Sequence, residues 1–146
     1  MTQFPHRILF AADGSAESDM ALHHTVDLLG HTQAEVHVVH VGLVSPWTNP
    51  DAMNPTQQAR LRAEGQVVLD AQVAKFEAAG ITPTATYLRM GRATDEILRL
   101  RDEVEADLII LGSRGLNAFK RVLLGSDAEG VVRHAPCPVL VVRKDR

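Results

Sequence analysis

The sequence predicts an α/β fold: one domain over residues 1–146, with a five-stranded parallel sheet and helices on both faces. Three observations predict it. Short apolar runs such as Ile8-Leu9-Phe10-Ala11-Ala12 and Leu108-Ile109-Ile110-Leu111 do not alternate in polarity, as expected of strands covered on both faces. Longer stretches with apolar residues at helical spacing separate these runs, giving the order β-α-β-α-β-α-β-α-β. Glycine turns follow the first and fourth runs, Asp13-Gly14-Ser15 and Gly112-Ser113-Arg114-Gly115. In a sheet ordered 3-2-1-4-5 those two turns face each other across one crevice, where the strand order reverses and ligands bind.

Each element has its own signal. Ile8 to Ala12 leads into Asp13-Gly14-Ser15, where Ser15 suits a helix N-cap and Glu17 lies in the first turn. Leu22, Thr25, Val26 and Leu29 stripe that helix, and Gly30 is expected to stop it. Val36 to Val41 reads as the second strand. Residues 42–54 hold Pro46, Trp47 and Pro50 and read as a long loop, a feature often tied to function. Asn54-Pro55-Thr56-Gln57 combines an N-cap, a proline at the first helical position and a capping-box glutamine. Leu61, Val68, Leu69 and Phe76 carry that helix to Gly80. Thr82 to Leu88 reads as the third strand, Gly91 as a turn, and Ala93, Ile97, Leu100 and Val104 as the third helix. Ser126-Asp127-Ala128-Glu129 reads as a capping box for a last helix with Ala128, Val131, Val132 and Ala135 inward. Pro136 and Pro138 close it, and Val139 to Val142 is the final strand, with a bare edge that invites pairing with a second copy.

Composition narrows the function. A net charge of −3 and 4% aromatic residues argue against a nucleic-acid surface. Cys137 is the only cysteine, which excludes an intrachain disulfide and a cysteine zinc cluster. No apolar run reaches the ~20 residues that span a membrane. Met1 to Arg7 lacks the long apolar core of a signal peptide, so the expectation is a cytoplasmic protein without membrane contact. His23 and His24 are adjacent and point about 100° apart on a helix. His37 and His40 differ by an odd number and face opposite sides of a strand, so neither pair makes a metal site.

The candidate site lies in the two glycine turns and in Gly125-Ser126, which follows Gly115 after nine intervening residues. Gly112, Gly115 and Gly125 either cradle phosphate or make tight turns. Ser126 reads as a cap that leaves the next N–H groups free for an anion. Asp13 either accepts from a ligand hydroxyl or amine, or closes an Asx turn. Arg114 is placed to pair with phosphate, and Lys120 and Arg121 more weakly so.

Three segments at coordinated spacing resemble the universal stress protein family. They are Ala11-Ala12-Asp13-Gly14-Ser15, Asp107 to Gly115, and Gly125-Ser126 with Val131 to Val142. The G-x2-G-x9-G-S spacing is similar to that of the family's ATP-binding branch. The resemblance implies a flavodoxin-like, adenine nucleotide alpha hydrolase-like domain that dimerises through its last strand and holds ATP in the crevice. By position, Asp13 and the backbone of Val41 would hold adenine and ribose. Gly112, Arg114, Gly115, Gly125 and Ser126 would hold ribose and phosphates. Asp127 stands where the family commonly has an uncharged residue, and its carboxylate would repel phosphate unless Mg²⁺ or Mn²⁺ intervened. The leading reading is an ATP-binding regulatory or stress-response protein with an unidentified protein partner. The alternatives are a slow metal-dependent ATPase centred on Asp127, and a nucleotide-free interaction module. No general base for hydrolysis is evident in the sequence.

Overall fold

The computed structural model describes residues 3–43, 52–113 and 124–144. The strands are β1 (Arg7–Ala12), β2 (Glu35–Leu43), β3 (Ala85–Gly91), β4 (Leu108–Gly112) and β5 (Val139–Val142). The helices are α1 (Ala16–His31), α2 (Pro55–Ala78), α3 (Ala93–Val104) and α4 (Ser126–His134). All strand pairs are parallel, in the order β3-β2-β1-β4-β5, as expected from the sequence.

Period-two alternation along the apolar runs builds two cores, one on each face. Ile8, Phe10, Val36, Val38, Leu108 and Ile110 meet Ala21 and Leu22 of α1 and Leu69 and Phe76 of α2. Leu9, Val39, Val41, Ile109 and Leu111 meet Ile97 and Leu100 of α3 and Ala128 and Val131 of α4. The Phe10 and Phe76 rings pack edge to face, with centroids 5.1 Å apart. Both side chains are fully buried, which stabilises the fold by about 1.5–3 kcal/mol each. α1 and α2 therefore cover one face, and α3 and α4 the other. The chain leaves β1 and β4 toward opposite faces, which opens the crevice between their C-terminal ends.

Several elements differ in detail from the expectation. Gly30 lies inside α1, which runs on to His31 and caps at Thr32. Gly30 does not take positive φ, and Thr32 Oγ1 donates to the Leu28 carbonyl instead. β3 begins at Ala85 rather than Thr82, because Ile81 N–H turns back to the Phe76 carbonyl and Thr84 N–H bonds Val36. The strand extends through Arg89 and Met90, which pair with Val41 and Gly42 of a longer β2. Met90 also explains Gly42, where a Cβ would stand 2.6 Å from its sulfur. Val132 is 48% exposed rather than inward, while Ala128 and Val131 are buried. The two strand histidines do face opposite sides. His37 bonds the Tyr87 hydroxyl, and His40 donates from Nδ1 to the Ala12 carbonyl. Cys137 packs partly buried against the second core, and burial pushes its thiol pKa up.

Candidate functional site

The site begins where β1 ends. Gly14 takes a φ of +80°, which turns the chain sharply and starts α1 at once. Ser15 is the N-cap, and its Oγ accepts from Ser18 N–H at 3.0 Å. Asp13 closes the turn: Oδ1 accepts from Ser15 N–H at 2.9 Å and from the Ser15 hydroxyl at 2.5 Å. The Asx turn is therefore formed, and among the described residues it engages one carboxylate oxygen only. Burial raises the Asp13 pKa, and the bonds from Ser15 oppose that shift.

β2 supplies the next wall. Its register with β1 ends at Ala12 and His40, whereas its register with β3 continues through Val41 to Leu43. The backbone of Val41 thus projects beyond the last β1 pair, beside the Asp13 turn. The Val41 side chain is buried in the second core, so any contact here belongs to the main chain.

β4 ends at Gly112, and packing makes its own demand on this glycine. A Cβ there would stand 2.8 Å from the Glu17 carbonyl carbon and 2.9 Å from Ser18 N. Gly112 is needed so that the first turn of α1 can lie against β4. The buried Ser113 then ties the end of β4 to β5 and to the start of α4. Its N–H donates to the Val142 carbonyl at 2.8 Å, and its carbonyl accepts from Gly125 N–H at 2.5 Å. Arg114 and Gly115 lie outside the described residues, as do Lys120 and Arg121.

Gly125, not Ser126, is the N-cap of α4, and no side chain caps this helix. Ser126 is the first helical residue, so the expected capping box does not form. The reason is the Ser113–Gly125 bond, which fixes where the chain can enter the helix. The first hydrogen bond of α4 runs from Glu129 N–H to the Gly125 carbonyl at 2.9 Å. The N–H groups of Ser126, Asp127 and Ala128 precede it, which leaves an uncapped positive helix end. Asp127 is exposed, and its Oδ1 accepts from the Thr94 hydroxyl of α3 at 3.2 Å. Gly130 permits that contact, since a Cβ there would stand 2.8 Å from Thr94 Oγ1. No group of three metal-ligating side chains exists among the described residues.

Two buried residues escaped the sequence reading, Ser18 and Gln72. The buried residues of α2 are Gly65, Leu69, Gln72 and Phe76, at helical spacing. A glutamine on that stripe, three residues after Leu69 and four before Phe76, was the available signal.

Half-buried aspartate, projecting strand backbone and uncapped helix end meet at the strand-order reversal of a doubly wound sheet. That arrangement defines an α/β protein with a crevice suited to a ligand carrying both hydroxyl and anionic groups. The family model described as Universal stress protein family matches residues 5–143, and the chain belongs to that family. It is 34% identical over 142 residues to a universal stress protein of Methanocaldococcus jannaschii, covering 96% of this chain and 83% of that one. A Staphylococcus haemolyticus relative is 33% identical over 139 residues, covering 94% and 84%. The structure of universal stress protein UspA from Lactobacillus plantarum superposes with a TM-score of 0.81 at 31% identity, covering 94% and 97%. Two more distant structures share the fold, with TM-scores of 0.68 and 0.69 at 24% and 21% identity. They are complexes of universal stress proteins with cAMP and with dAMP.

Proposed function

We propose that this protein binds an adenine nucleotide, ATP first among them, in the crevice between β1 and β4, and acts as a regulatory or stress-response protein. The observation that carries the reading is the pairing of Asp13 with the uncapped α4 terminus across the strand-order reversal. The free oxygen of Asp13 suits a ribose hydroxyl, an acceptor-to-donor match. The Val41 backbone edge suits the donor and acceptor pattern of adenine. The N–H groups of Ser126, Asp127 and Ala128 suit phosphate, at a helix end whose cap is Gly125, and Gly112 ends β4 on the other side of the Ser113 bond. Arg114 and Gly115 complete the proposed phosphate side by their position in the sequence. The fold-sharing complexes with cAMP and dAMP supply the ligand class to test, as properties of those two proteins.

Two measurements test the reading. Mass spectrometry of the purified, denatured protein is expected to release ATP or AMP. Calorimetric titration with ATP, AMP and cAMP is expected to show binding of at least one. A protein that releases no nucleotide and gives no binding heat with any of them would leave only the nucleotide-free interaction module.

A further inference from the structure

Gln72 lies at the centre of the buried stripe of α2, 2% exposed, where an apolar side chain is the ordinary choice. Its Nε2 is fully buried and has no hydrogen-bond partner among the described residues. Such an orphaned donor is destabilising, and a leucine of similar volume would remove it. The other end of the amide is engaged: Gln72 Oε1 accepts from the Ser18 hydroxyl at 3.1 Å. Ser18 is itself fully buried, and its Oγ accepts in turn from Asp13 N–H at 3.4 Å.

Ser18 is a junction of four elements. Its N–H bonds the Ser15 cap, its backbone lies where Gly112 admits it against β4, and its hydroxyl joins Asp13 to Gln72. The hydroxyl has one proton. Given to Gln72, that proton leaves the oxygen lone pairs facing Asp13 N–H. Without the Gln72 acceptor, the hydroxyl rotor has no fixed orientation. α2 touches the same turn a second time, since a Cβ on Gly14 would stand 3.5 Å from Val68.

We infer that Gln72 is a positioning residue: through Ser18 it orients the Asp13 turn, and so couples the placement of α2 to the crevice. The effect on ligand binding rests on the nucleotide reading above; the effect on the turn does not. Gln72→Leu is expected to leave the melting temperature close to that of the parent, because the orphaned Nε2 donor goes while the buried Ser18 hydroxyl loses its acceptor. The same variant is expected to speed hydrogen exchange at the Asp13 amide about five- to tenfold, the worth of one hydrogen bond. ATP affinity is expected to fall by a similar factor. Ser18→Ala should reproduce the exchange effect, and the double variant should add nothing further. An unchanged Asp13 exchange rate in Gln72→Leu, or additive effects of the two substitutions, would overturn the inference. Should Gln72→Leu fail to fold, Ser18→Ala alone decides by the same Asp13 exchange rate. Asp13→Asn separates the two readings. Loss of ATP binding there with normal affinity in Gln72→Leu defeats this inference alone. Normal ATP binding in Asp13→Asn defeats the assignment of Asp13 to the nucleotide site.

Discussion

Asp13 serves two ends that conflict. Its burial raises the pKa above the ordinary carboxylate value, so the folded chain holds this proton more tightly than the unfolded chain does. Stability from this group is therefore greatest at acid pH and falls as pH rises through the window between the unfolded and folded values. At neutral pH the half-buried carboxylate is a cost. Asn keeps the acceptor for Ser15 and removes the charge. We expect Asp13→Asn to hold or raise the melting temperature at pH 7 while lowering ATP affinity about tenfold, the scale of a charge-assisted hydrogen bond. Parallel thermal melts and calorimetry check both halves. In the parent protein ATP affinity should decline as pH drops through the Asp13 titration. Gly112 belongs to the same scale but to a different cause. Gly112→Ala drives a methyl into the α1 backbone, and a loss of about 1–3 kcal/mol in denaturant unfolding is expected.

α4 begins without a side-chain cap, as does α3, whose N-cap is Arg92. α1 and α2 begin with side-chain caps from Ser15 and Asn54, whereas α4 begins at Gly125 with none. An uncapped end costs some helix stability and leaves N–H groups for an anion. Asp127 sits in that first turn, where a carboxylate is favourable to the helix and unfavourable to a phosphate. Its bond to Thr94 draws it toward α3 and shares the charge with a neutral donor. We expect Asp127→Val to lower stability by about 0.5–1 kcal/mol, through loss of that interaction with the helix end. It should also bind ATP more tightly than the parent in EDTA, with a weaker dependence on Mg²⁺. Calorimetry of both proteins with and without Mg²⁺ makes the comparison. Equal affinities in all four conditions would mean that Asp127 serves its helix alone. Gly125→Val is expected to abolish binding while a cooperative melt persists, because a branched side chain would crowd the open N–H groups.

The whole molecule ends its sheet on β5, which pairs with β4 on one side only. Leu140 on this strand is 36% exposed, and Val132 on the adjoining α4 is 48% exposed. An apolar strand with a free edge is a template for another chain, and two-fold symmetry would pair it with itself. We expect a homodimer by light scattering at micromolar concentration. Leu140→Pro should dissociate it, since proline removes a ladder donor. A monomeric parent, or a dimer indifferent to Leu140→Pro, would count against this interface.

What the sequence determined by itself was the fold class, the strand order and the turns that meet at the crevice. Those rest on local signals. Apolar runs of strand length, caps such as Asn54 and Ser15, and glycines after strands act within a few residues of chain. Strand order followed because alternation of strands and helices leaves few allowed topologies. Tertiary structure alone decided what each residue is for. Gly112 read as a ligand cradle or a tight turn, and its missing Cβ also admits α1, a contact between residues far apart in sequence. Ser126 had the chemistry of a cap, but a bond between Ser113 and Gly125 moved the helix entry by one residue. Gln72 escaped notice in its helix, and its role appears only where α1 brings Ser18 against it. Arg89 and Met90 lay beyond the strand read at Thr82 to Leu88, and β2 offers them partners. In each case the deciding partner is distant along the chain, and only packing brings it within reach.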